Sequence, residues 1–181
     1  MNRQNTILFL LLYVPLVLFS QERARKWGDI PENDLKMTVY PQDSSASSVV
    51  LQDVGKIVLR ANTGAVTLFR SRRIKVLDAS AFDQGNLMIT YRDTKREDEL
   101  RDLDVQVTAP DGARKKIKSD NIFTEKLRPG RSARKIFIPD LQKGSVIEYR
   151  YQMQSNDILD LYDWYFQEDI PIRWSELETV I

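Results

Sequence analysis

From Val49 onwards apolar and polar residues alternate with a period of two, a pattern that suits half-buried β-strands. Leu87, Ile89 and Tyr91 alternate with Met88, Thr90 and Arg92, and Leu103, Val105 and Val107 with Asp104, Gln106 and Thr108. Further on, Ile147, Tyr149, Tyr151 and Met153 oppose Glu148, Arg150 and Gln152. Successive side chains of a strand point to opposite faces, so each set turns one face to a core and the other to water. Pro110-Asp111-Gly112, Arg128-Pro129-Gly130 and Gln142-Lys143-Gly144-Ser145 separate the runs. Proline presets φ and glycine admits a positive φ, which suits tight connections between strands. Strands are expected at 36–40, 49–52, 56–61, 65–77, 87–92, 102–109, 114–118, 134–138, 145–155, 161–168 and 173–180. One helical turn is expected at 78–84, ended by Gly85. The pattern predicts an all-β fold, an antiparallel β-sandwich with at most one short helical turn.

The N-terminus reads as an export signal. Arg3 precedes an uncharged apolar stretch from Ile7 to Phe19, closed by Ser20. One cation, a short apolar core and a small residue describe a secretory signal peptide. The run is shorter than the about 20 apolar residues that span a bilayer. Residues 1–21 are therefore expected to be a signal peptide, 22–33 a polar leader and 34–181 the sandwich. The protein is expected to be exported, and periplasmic or extracellular after cleavage. Residues 173–181 are still strand-like where the sequence stops, so the sandwich is expected to be truncated at its C-terminal end.

Loss of residues 1–21 removes one Arg and no acid, which leaves 26 basic and 26 acidic residues. A chain without net charge has no long-range field to gather phosphates, so no nucleic-acid partner is expected. Two basic runs, 70–75 and 114–118, lie in strand-like alternation and are expected to be solvated sheet faces. The sequence has no Cys and no His. That removes disulfides, thiolate and imidazole metal sites, and any triad built on those residues. No catalytic residue, metal site or cofactor is expected in this chain.

Two constellations remain. Asp157, Asp160 and Asp163 recur every three residues, near Glu168 and Asp169. Paired carboxylates can hydrolyse glycosidic bonds across a cleft, but residues three apart on a strand point to opposite faces. The stretch 161–167 is the aromatic peak of the sequence. As a strand it would place Tyr162, Trp164 and Phe166 on one face and Tyr165 on the other. Tyr162, Trp164, Tyr165 and the nearby Trp174 are the candidate ligand or interface residues, because aromatic rings stack ligands and anchor interfaces. The alternative is that these rings close the core.

Several segments also carry a family resemblance. In order they are 49–56 (Val-Val-Leu-Gln-Asp-Val-Gly-Lys), 73–77 (Arg-Ile-Lys-Val-Leu) and 143–151 (Lys-Gly-Ser-Val-Ile-Glu-Tyr-Arg-Tyr). Trp164-Tyr165-Phe166-Gln167 follows, then Ile170-Pro171 and Ser175-Glu176. Together they resemble the uncharacterised β-rich domain found N-terminal to transglutaminase-like domains in exported proteins of Bacteroidota. The resemblance covers roughly residues 33–181. It implies a non-catalytic accessory domain whose partner is a downstream transglutaminase-like domain of the same parent chain. Domain packing or substrate presentation is then the expected role, and the resemblance assigns no site residue. The other reading is a stand-alone module that binds an envelope glycan or an envelope peptide or protein.

Overall fold

The computed structural model describes residues 24–94, 98–157 and 162–181. The expected signal peptide lies outside them, as does Asp160. The strands are β1 (Ser48–Arg60), β2 (Ala65–Val76), β3 (Asn86–Arg92), β4 (Glu99–Thr108), β5 (Arg114–Lys116), β6 (Ile122–Arg128), β7 (Arg131–Phe137), β8 (Val146–Ser155) and β9 (Ser175–Val180). Helical structure among the described residues is confined to α1 (Glu32–Lys36) and to 3-10 turns at Ala79–Gly85 and Ser119–Asn121. The first 3-10 turn is the expected one: Asp78 caps it by accepting from the Ser80 amide at 3.1 Å.

Six strands form one sheet in the order β5-β4-β8-β2-β1-β9, and three form a second in the order β3-β7-β6. Neighbours are antiparallel except β9, which runs parallel to β1 from Asp53↔Ser175 to Val58↔Val180. The inner faces share one core. Val66, Leu68 and Ile74 of β2 and Ile147 and Met153 of β8 pack with Ile89 of β3 and Ile136 of β7. The all-β sandwich read from the sequence is the fold that forms.

Its long central strands follow from the alternation. β1 and β2 form a hairpin through a turn in which Gly64 adopts φ 69° and donates to the Arg60 carbonyl at 2.9 Å. Residues 49–52 and 56–61, expected as separate strands, belong to one strand with a bulge between Val50 and Gln52. β6 was not expected: six of its seven residues are exposed, so no apolar period marks it. Residues 36–40 make no strand either. Lys36 is the last residue of α1, and Tyr40 forms only an isolated bridge with Asp43.

The basic run 70–75 departs most from expectation. Arg72, Arg73 and Lys75 are buried rather than solvated. A buried charge is tolerated only when it is paired, and here each is. On the outer face of the large sheet, Arg73 donates to Glu148 Oε1 through Nε at 2.9 Å and Nη2 at 2.7 Å. Glu148 also accepts from Gln106 at 2.6 Å and from the Gly28 amide at 3.2 Å. Lys75 Nζ donates to the carbonyls of Leu35 and Gly144 at 2.5 and 2.6 Å. Residues 24–40 thus lie across this outer face, where Ile30, Leu35 and Met37 join Tyr40, Val49, Leu51, Leu77 and Val146 in a second apolar cluster.

Candidate functional site

The register of β2 against β8 builds the site. Arg70 lies opposite Tyr151 and Arg72 opposite Tyr149, so two guanidiniums and two phenols share the inner face where the apolar core is interrupted. Asp53, fully buried on β1, accepts from Arg70 Nε at 2.9 Å, Arg70 Nη2 at 2.6 Å and Arg72 Nη1 at 3.1 Å. Arg72 also grips Glu168 in a fork, at 2.7 Å from Nη1 and 2.6 Å from Nη2. The Arg72 hydrogen bond leads the effects that hold the Glu168 carboxyl below its ordinary range.

Residues 162–174 cross this region as a strap. The described part of the expected strand 161–168 is not a strand, so the assumed division of its rings between two faces does not apply. Trp164 packs against β1 and β2, with Arg70 Cζ 4.8 Å from its ring centroid, and its Nε1 donates to Ser175 Oγ at 3.1 Å. Gly55 makes this seat possible. A Cβ there would fall 2.7 Å from Trp164 Cη2 and 2.8 Å from Leu177 Cδ1. Phe166 meets Trp164 edge-on but is largely exposed, so it does not close the core. Further along, the Val50 amide donates to the Pro171 carbonyl at 2.8 Å. The Asp53 amide donates to the Trp174 carbonyl at 2.9 Å, and Arg173 forks onto Asp34 at 2.6 and 2.7 Å.

Between the strap and the two sheets is a cleft of about 360 Å³. Tyr149, Tyr151 and Arg70 come from the large sheet, Thr90, Arg92 and Arg131 from the small one, and Tyr162, Asp163 and Tyr165 from the strap. The Tyr149 and Tyr151 rings stand 6.5 Å apart and within 3° of parallel. Burial pushes the Tyr149 phenol up to about 12 and raises that of Tyr151, so both stay neutral at physiological pH. Arg92 is held by Asp98, 2.8 Å from Nη2, and by Ser155 Oγ at 2.7 Å.

The four candidate residues therefore divide. Tyr162 and Tyr165 line the cleft, with Tyr165 62% exposed. Trp164 is turned against Gly55 and Arg70, and Trp174 donates to Glu176 at 3.2 Å, outside the cleft. Of the repeating aspartates, Asp163 is in the cleft wall. The sequence reading did not single out Tyr149, Tyr151, Arg70, Arg92 or Arg131. The available signal was two arginines in inward register on a strand whose other inward residues are apolar. No group of acidic side chains among the described residues could hold a metal ion.

Residues 62–178 match the model of a family described as a domain of unknown function with a solved structure, DUF3857. The comparison with curated proteins gives no match. Among solved structures the chain is similar to the crystal structure of a "putative protease" from Parabacteroides distasonis, with a TM-score of 0.62 at 14% identity. That likeness, one of fold alone, covers 74% of this chain and 28% of the other, so the chain spans little more than a quarter of that protein's length. A similarity to native yeast LTA4 hydrolase has a TM-score of 0.32 at 11% identity, over 59% of this chain and 14% of that one, and carries no argument.

Proposed function

The chain belongs to the DUF3857 family, and from that premise we propose that it is a non-catalytic accessory domain of an exported protein, serving a transglutaminase-like cysteine enzyme on the same parent polypeptide. The observation that carries this reading is the outward face of the three-stranded sheet. Met88, Lys135 and Phe123 lie side by side across its strands, and Phe137 follows two residues along β7. Met88, Phe123 and Phe137 are each more than half exposed. Neighbouring apolar side chains in water favour a covering partner, and interfaces between domains of one chain commonly bury about 600–1,500 Å². Lys135, between Met88 and Phe123, is paired with Glu125.

The chemistry of the chain supports the same division of labour. Asp53, Asp98 and Glu148 are each held by arginine, which suits structural anions better than proton-transfer groups. The sequence has no thiol or imidazole, so a cysteine enzyme's nucleophile and base would come from the other domain. With its patch uncovered, the purified chain is expected to self-associate at high concentration and to bind a hydrophobic dye. Phe123→Asp combined with Met88→Lys is expected to abolish both in sedimentation and fluorescence measurements. A chain that stays monomeric at millimolar concentration and leaves the dye dark would overturn the proposal.

A further inference from the structure

We propose that the cleft between the two sheets binds a short, uncharged oligosaccharide. The inference goes beyond the accessory role, because it concerns the cleft walled by β8, the edge strand β3 and the strap, and not the Phe123 and Phe137 face; only Met88 borders both. The cleft, about 360 Å³, falls at the lower end of the range of small-ligand sites, roughly 300–1,000 Å³. Tyr149 and Tyr151 present two near-parallel rings from one strand, and Tyr162 and Tyr165 face the same space from the strap. A pyranose ring has a flat C–H face that carries slight positive charge and settles on the negative face of an aromatic ring. Its rim of hydroxyls needs fixed groups that donate and accept.

Those groups are present and held in place. Arg92 is anchored by Asp98 and Ser155, and Arg70 is oriented by Asp53 through Nε and Nη2, so the Nη1 of Arg70 points in a set direction. Thr90 and the neutral phenols both donate and accept. The charge balance selects against ions. Arg70 and Arg92 are each offset by a carboxylate, and Arg131 and Asp163, which enter no ion pair among the described residues, carry opposite signs. Among the described residues the wall carries no net charge, which gives neither anions nor cations an advantage, so stacking and hydroxyl hydrogen bonds decide what is held.

Titration calorimetry of the full chain against chitotetraose, cellotetraose and maltotetraose tests this, with tetragalacturonate and tetraalanine as the charged and peptide counterparts. At least one neutral tetrasaccharide is expected to bind with Kd below about 1 mM. Tyr165→Ala, an exposed position at which the fold should survive, is expected to weaken that binding at least tenfold and Arg131→Ala at least threefold. Trp174→Ala, outside the cleft, is expected to leave it unchanged. The proposal is overturned if no neutral tetrasaccharide binds, if tetragalacturonate or tetraalanine binds more tightly, or if Tyr165→Ala changes nothing while its thermal unfolding matches the parent chain.

Discussion

The basic runs 70–75 and 114–118 look alike as strings of Arg and Lys, yet the fold uses them in opposite ways. The first lies on β2, one of the two central strands of the six-stranded sheet, and its cations end in Asp53, Glu168, Glu148 or backbone carbonyls. The second lies on and beside β5, a three-residue edge strand with every residue exposed, where Lys115 reaches only the exposed Asp140. Strand position, not residue type, decides whether a cation is structural. An interior strand has no water to offer, so a cation there requires a dedicated partner.

That contrast can be broken at its strongest point first. Glu148→Ala removes the carboxylate that the buried Arg73 and Gln106 share, leaving Arg73 only the Lys26 carbonyl, and is expected to cost about 3–5 kcal/mol, read as a lower urea midpoint. A loss below about 1 kcal/mol would mean that the pair contributes no more than a surface bridge. Gly55→Ala drives a methyl into Trp164 and Leu177 and is expected to cost about 1–3 kcal/mol, with a change in tryptophan emission as the ring leaves Arg70.

The next effect is a slope with pH. Burial pushes the Lys75 ammonium down to about 8, against the opposing pull of Asp34. Between about pH 8 and the ordinary lysine value, the unfolded chain binds the proton that the folded chain has released. Stability should therefore rise with pH across that window, by at most about 1.4 kcal/mol per unit. Lys75→Met should remove this slope, and a parent chain with the same profile as the variant would refute the assignment. The smallest effect belongs to the other run: Lys115→Ala is expected to change stability by less than about 0.5 kcal/mol.

The same logic separates what the sequence shows from what it conceals. β8 is legible because Ile147, Tyr149, Tyr151 and Met153 alternate with polar residues, and the turn at 79–85 because Asp78 and Gly85 bracket it. β6 is concealed because an edge strand with Thr124, Glu125 and Lys126 in water has no apolar period to display. The strap misleads in the other direction. Its aromatic alternation imitates a strand, but Trp164 and Tyr165 are placed by Gly55, by Glu168 on Arg72 and by the Arg173 fork on Asp34, contacts between residues far apart in sequence. Only the strap's share of the candidate site was legible for that reason. Tyr162 and Tyr165 stood out as members of the aromatic peak, whereas Tyr149, Tyr151 and Arg70 were hidden inside a pattern that also describes an ordinary core.

The parallel pairing of β9 with β1 has a mechanical consequence. Tension applied from the start of β1 to the end of β9 pulls the two strands past one another along their length. The slanted ladder between Asp53↔Ser175 and Val58↔Val180 is then loaded all at once, instead of opening one rung at a time as a peeled hairpin does. Pulled in that direction, the sandwich should hold as a shear clamp.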